Sequence, residues 1–208
     1  MQFSIINKIK NEDIFMNQVY VYVGRFQLPH IGHESVMQYA LDKSDHLVLL
    51  VGSSGNERSV KNPFTFEERK EMLEAVTSRM HKNKKVSILS LPDFPTDKEW
   101  TDEVQRLVSS VIKENDAITV TGCRKTGDES TYYLHLFPEW KTDFISEINF
   151  EGIDVISSTK AREFFYKSEA LPEILSHEVK HYLSDFKVKK DYVFEKLVGQ
   201  FSTKKLKF

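Results

Sequence analysis

Short apolar runs alternate with stretches of helical periodicity along most of this 208-residue chain, and that alternation limits the fold more than any single residue does. Val19–Val23 (VYVYV) predicts a first strand, and His46–Val51 (HLVLLV), apolar almost throughout, predicts a second that is buried on both faces. Lys85–Leu91 (KVSILSL), Ala117–Thr121 (AITVT) and Phe144–Phe150 supply a third, fourth and fifth. Between them lie Glu34–Lys43, Thr65–Met80 and Lys98–Glu114, each with apolar residues at helical spacing. Thr65 followed three residues later by Glu68 offers a capping box. Strand–helix alternation of this kind predicts an α/β fold with a parallel sheet covered on both faces.

Beyond Ile156 the pattern becomes helical: Ser158–Lys167 is one predicted helix and Pro172–Phe186 another, with proline in its first turn. Residues 187–208 read as a basic C-terminal helix and loose tail, and residues 1–16 as an extension of the domain that spans 17–186. No repeat or low-complexity linker divides the chain. A net charge of −2 gives no electrostatic argument for nucleic acid or an acidic membrane surface. Cys123 is the only cysteine, which excludes an intrachain disulfide and a cysteine-based zinc site. No apolar run approaches the roughly 20 residues of a membrane span. The N-terminus lacks the apolar core of a signal peptide, so the expected compartment is the cytoplasm. A homo-oligomer is compatible with all of this.

In open α/β sheets, ligands bind beyond the carboxyl ends of the strands. Four such ends carry small or polar residues: GRFQLPHIGH (24–33), Gly52-Ser53-Ser54, Pro92-Asp93 and Gly122. The first places His30 and His33 where a strand turns into a helix, whose N-terminus favours an anion. Gly24 permits close backbone approach, Arg25 adds fixed charge, and Gly32 opens the helix tightly. Neither GxxxxGK[ST] nor GxGxxG is present, so a P-loop and a dinucleotide fingerprint are excluded by their own signatures.

GRFQLPHIGH resembles the HxGH signature of the nucleotidyltransferase superfamily, and Ile156-Ser157-Ser158-Thr159-Lys160-Ala161-Arg162 resembles its second half. A narrower likeness runs over residues 18–186. GRFQ, GSS, SVKNPFTFEER and LPDFPTDKEW resemble nicotinamide-nucleotide adenylyltransferases of the NadM type. GCRKTGDESTYYLHLFPEW resembles the version fused to a Nudix hydrolase in some bacteria. Two positions depart from the pattern: Leu28 stands where proline is common, and Lys61 where arginine is common. No Nudix box exists in the chain.

The resemblance implies a Rossmann-like doubly wound sheet with C-terminal helices, and transfer of AMP from ATP to nicotinamide mononucleotide. It implies phosphate contacts from His30 and His33, cationic support from Lys61 and Arg162, and a triphosphate grip from Ser157, Ser158 and Thr159. Gly24, Arg25, Phe26 and Gly122 would line the ATP side; Gly52, Ser53, Asn62, Phe64, Asp93 and Trp100 the mononucleotide side. Mg²⁺ would arrive with ATP. The same signature also serves nicotinate mononucleotide, pantetheine phosphate and FMN as acceptors, and a non-catalytic nucleotide sensor is the alternative of another class. Tyr132, Tyr133 and Phe137 read equally as a packing cluster.

His177-Glu178-Val179-Lys180-His181 is a literal HExxH. On a helical wheel Leu175, Val179, Leu183 and Phe186 form the apolar side, which puts both histidines on the solvent side. That placement argues against zinc.

Overall fold

The computed structural model describes residues 16–124, 132–133, 135–146 and 157–205. Five parallel strands form one sheet in the order β3-β2-β1-β4-β5. They are β1 (Gln18–Gly24), β2 (His46–Val51), β3 (Lys85–Ser90), β4 (Ala117–Arg124) and β5 (Lys141–Ser146). The chain adds β2 and β3 on one side of β1, then returns to add β4 and β5 on the other. The switch point of this doubly wound sheet is therefore at β1, where the carboxyl ends open a crevice.

Alternation along the strands builds two cores. Tyr20, Tyr22, Leu47, Leu49 and Val51 face the larger one with helices α1 (Ile31–Lys43) and α2 (Phe66–Met80), and with α4 (Ser158–Tyr166), α5 (His177–Lys189) and α6 (Asp191–Lys205). Val19, Val21, Val48 and Leu50 face the smaller one, closed by Val104 and Val108 of α3 (Asp97–Ser109) and by Phe137. The period of two in each strand thus feeds opposite faces. The capping box forms: Thr65 Oγ1 accepts the Glu68 N–H at 3.4 Å, and the Glu68 carboxylate accepts the Thr65 N–H at 2.9 Å.

Several boundaries move. α1 starts three residues before the expected Glu34, because His30 caps it. β4 runs on past Thr121 to Arg124 because β5 pairs with it there, and Gly122 lies within the strand. β5 begins before Phe144; residues 147–150 of the expected strand lie outside the described residues. α3 stops at Ser109. Pro172 is not in a helical first turn. It opens a turn closed by Leu175 N–H on Pro172 O at 3.1 Å, and the helix starts at His177. The carbonyl of Ile174 accepts the Ile31 N–H at 2.9 Å, so this turn serves the start of α1. α6 is the expected C-terminal helix, but its described residues are not loose: Phe194 and Leu197 are buried in the larger core, with Phe165 and Phe194 rings 5.0 Å apart.

Candidate active site

The segment after β1 is held from three directions. Gln27 is buried and its side-chain amide brackets Phe64, donating to Phe64 O at 2.9 Å and accepting Phe64 N–H at 3.1 Å. From α4, the Ser158 hydroxyl donates to Leu28 O at 2.9 Å, and Arg162 donates to Gln27 O. Two segments some 130 residues apart in sequence are therefore in direct contact. From below, the ring of Phe26 folds back over Gly24.

That last contact changes the reading of both residues. A Cβ on Gly24 would meet the Phe26 ring at 2.7 Å, so the space beside Gly24 belongs to Phe26 and not to an approaching ligand. Phe26 is itself 1% exposed, so its side chain is packed away from the surface that the ATP side was expected to use. It supports the site instead, with its ring 5.4 Å from Tyr22 and 5.1 Å from His33.

His30 is the N-cap of α1, and its Nδ1 accepts the His33 N–H at 3.4 Å. Any proton on a neutral His30 ring is thereby left to Nε2, the tautomer that can donate to an oxyanion. The two imidazoles stack with centroids 3.8 Å apart. Arg162 is buried, and its remaining Nη reaches Thr159 Oγ1 at 3.1 Å. Burial lowers its pKa from the ordinary arginine value, and the charge of Arg25 acts in the same direction. Arg25, which is exposed, and Arg162 therefore feel each other across this strand end. Two guanidinium groups at a strand end that leads into a histidine-capped helix N-terminus suit a polyanion.

At α4, Ser157 caps the helix by accepting the Thr159 N–H at 3.2 Å. The Ser158 hydroxyl proton is committed to Leu28 O, so Ser158 ties the two signature segments together, where a grip on the triphosphate was expected.

The β2 end is more open. Gly52 N–H donates to Gly24 O at 2.9 Å, which joins the turns after β1 and β2. Ser53 Oγ donates to Asp93 Oδ1 and Asn56 Nδ2 to Asp93 Oδ2, both at 2.9 Å. Asp93 remains exposed. Trp100, in the first turns of α3, is half-buried against Tyr133 and Phe137 at 6.1 and 6.0 Å. Tyr133 and Phe137 are buried packing residues; burial raises the Tyr133 pKa well above its ordinary value. Its hydroxyl spans Val23 O at 3.4 Å and Thr121 O at 3.3 Å, bracing β1 against β4.

Between these halves, Lys61 is exposed and Asn62 half-buried, with Asn62 N–H on Ser59 Oγ at 3.1 Å. Phe64 departs from expectation. It is 2% exposed and packs on Phe186 at 5.2 Å and Phe165 at 5.8 Å, so its side chain belongs to the core, where a place on the mononucleotide side was expected. The loop is held from beneath by Glu68, whose buried carboxylate takes a two-pronged contact from Arg58 at 2.6 Å and one from Lys190. These partners hold the Glu68 pKa below the usual carboxylate value against the opposing effect of burial.

Sequence reasoning gave no role to Gln27 or Arg69. Arg69 lies one turn before Met72, Leu73 and Val76, the core-facing stripe of α2, and a lone arginine on such a stripe was the available signal. His177 and His181 are exposed, as the helical wheel implied. Glu178 is engaged elsewhere: Arg79 reaches it at 3.2 Å and Glu34 at 2.7 Å, bridging α5, α2 and α1.

A parallel sheet that reverses order at β1, with imidazoles and guanidinium groups gathered at the reversal, defines an α/β protein suited to nucleotide phosphates. The sequence pattern of the cytidylyltransferase-like family matches residues 21–164, and the chain belongs to that family. It is 31% identical to the nicotinamide/nicotinic acid mononucleotide adenylyltransferase of Acinetobacter baylyi over 80% of this chain and 85% of that one. It is 27% identical to the nicotinamide-nucleotide adenylyltransferase of Thermococcus onnurineus, over 80% and 82%. It also resembles the bifunctional NMN adenylyltransferase/ADP ribose pyrophosphatase of Francisella tularensis, solved with AMP and a manganese ion. There the TM-score is 0.75 at 29% identity, over 90% of this chain and 54% of that one. The chain thus spans about half the length of that relative. Family, fold and relatives make it an enzyme of the adenylyltransferase class. Among the described residues, no helix is long and apolar enough to cross a membrane.

Proposed function

We propose that this enzyme transfers AMP from ATP to nicotinamide mononucleotide, forming NAD and releasing pyrophosphate. The observation that carries the reading is the contact of Ser158 and Arg162 with the Gln27–Leu28 backbone, which brings the two signature segments together next to His30 and His33 in sequence. A phosphate oxygen of the mononucleotide attacks the α-phosphorus of ATP. The new P–O bond forms as the bond from the α-phosphorus to the bridging oxygen breaks, and that oxygen leaves with pyrophosphate. Phosphate is already nucleophilic at neutral pH, so the residues need only align the partners and neutralise charge. His30 and His33 face the α- and β-phosphates, Arg25 and Arg162 the triphosphate, and Lys61 supplies mobile positive charge.

Mg²⁺, when bound, screens the triphosphate. A guanidinium does not ligate a metal, and among the described residues no group of three His, Cys, Asp or Glu could hold one; an ion brought in with ATP would take its ligands from nucleotide oxygens and water. On the acceptor side, Asp93 supports nicotinamide over nicotinate, since an exposed carboxylate accepts an amide N–H and repels a second carboxylate. The test is purified protein with ATP, Mg²⁺ and a panel of mononucleotides, the products separated by chromatography. Dinucleotide from nicotinamide mononucleotide at the highest kcat/KM is expected; equal or better use of nicotinate mononucleotide would overturn the preference, and no product from either the activity.

A further inference from the structure

Arg69 is 1% exposed and stands on the core-facing stripe of α2, yet its guanidinium bonds go to backbone carbonyls. Nη1 donates to Arg25 O and to Gly52 O, each at 2.7 Å, Nη2 to Ser53 O at 3.4 Å, and Nε to Thr65 O at 3.2 Å. Burial lowers its pKa from the ordinary arginine value to about 10, a sign of how far this cation is removed from water. An arginine in a core costs solvation, and an apolar residue would fill the place without that cost.

What the guanidinium gains is visible in the backbone. Phe26 and Ser53 both adopt φ of 49°, a left-handed conformation that is strained for residues with a Cβ. Each follows a carbonyl that Arg69 holds: Arg25 O precedes Phe26, and Gly52 O precedes Ser53. One side chain thus clamps two strained turns at the ends of adjacent strands. From the first hangs the Phe26 ring that supports His33, and from the second the Ser53 hydroxyl that holds Asp93.

We propose that Arg69 is a positioning residue for adenylyl transfer, setting the phosphate-binding turn after β1 against the acceptor-binding turn after β2. This rests on the function proposed above. The fork matters as well as the charge, because Nη1 serves two carbonyls just past the ends of different strands while Nη2 and Nε reach Ser53 O and Thr65 O. A lysine ammonium carries its three N–H donors on one nitrogen at the end of a flexible stem and does not reproduce that planar spread of donors. Misplacement by about 1 Å between reacting partners lowers the rate by roughly 10²-fold without removing a binding contact.

The experiment compares Arg69→Lys with wild type in the full chain. The readouts are melting curves, kcat, and separate Kd values for nicotinamide mononucleotide and a non-hydrolysable ATP analogue. The expected result is a folded variant with each Kd within about threefold of wild type and kcat lower by roughly 10- to 100-fold. A kcat within threefold of wild type would overturn the proposal, even with a lower melting temperature, since Arg69 would then be structural only. Should Arg69→Lys fail to fold, Arg69→Lys/Ser53→Gly removes one strained turn, and its kcat is read against Ser53→Gly alone. A tenfold or larger deficit supports the clamp, and equal kcat values or continued failure to fold overturn it. Wild type inactive toward every mononucleotide sinks the function and the clamp together; active wild type with a normal variant sinks the clamp alone.

Discussion

The two sides of the crevice are built differently. Around His30 and His33, the supporting residues are buried or half-buried and bonded to backbone: Gln27 to Phe64, Ser158 to Leu28, Arg162 to Gln27. Around Asp93, the bonds are between side chains in exposed surroundings, and Trp100 is only half-buried. Backbone-anchored groups cost nothing to reorganise as charge develops, which suits the phosphoryl side. Exposed side chains adapt to an acceptor and can be exchanged without disturbing the core. Under the proposed function, chemistry falls to the backbone-anchored half and substrate choice to the exposed one.

The sharpest way to break this division is at His33. His33→Ala should lower kcat by roughly 10²-fold or more with little change in ATP affinity. Single-turnover kinetics with an ATP titration separates the two, and equal losses in both would make His33 a ground-state ligand. Phe64→Ala sharpens the boundary of the rigid half. As a core truncation it should cost about 3–5 kcal/mol of stability, measured by chemical denaturation, with substrate KM values kept in the folded fraction. A raised mononucleotide KM at unchanged stability would return Phe64 to the acceptor site. Trp100→Ala probes the adaptable half. Loss of a stacked ring should weaken mononucleotide binding by about 1–3 kcal/mol, by analogy with base stacking, and leave ATP binding intact; calorimetry with each nucleotide decides it.

The smallest effect lies at the opposite end of the sheet. His46, at the start of β2, is buried against Ser87 Oγ at 2.9 Å, and burial with the charge of Lys85 lowers its pKa from 6.5 to about 4. The unfolded chain takes up this proton near pH 6.5 and the folded chain only near 4. Its contribution to stability therefore falls as pH drops through that window. His46→Gln should flatten the pH dependence of the melting temperature there without altering adenylyl transfer at neutral pH. An unchanged slope would show that other groups set it.

These contrasts also explain what could be read from the chain. The sheet was legible because β2 is apolar after its first residue, His46, and β1 alternates between its two cores. The two runs 24–33 and 157–162 were legible as a unit because each carries residue types that suit a helix N-terminus, and Ser158 and Arg162 do meet the Gln27–Leu28 backbone. Whether an aromatic in such a run faces ligand or core was not legible. Phe64 is buried by Phe165 and Phe186, about a hundred residues further on, and Phe26 by a left-handed turn that no residue type announces. Pro172 misled for a related reason: the carbonyl of Ile174 serves α1, and a local helix rule does not see that partner. Glu178 gained a meaning only from Arg79 on another helix.

The central claim is that AMP moves from ATP onto the phosphate of nicotinamide mononucleotide at the strand end where Ser158 and Arg162 meet the Gln27–Leu28 backbone. It is tested most directly with ATP labelled at the α-phosphorus, Mg²⁺ and unlabelled nicotinamide mononucleotide. The account predicts that the label enters the dinucleotide, with one unlabelled pyrophosphate released per label transferred. Label remaining in ATP, or appearing in free AMP without dinucleotide, would contradict it.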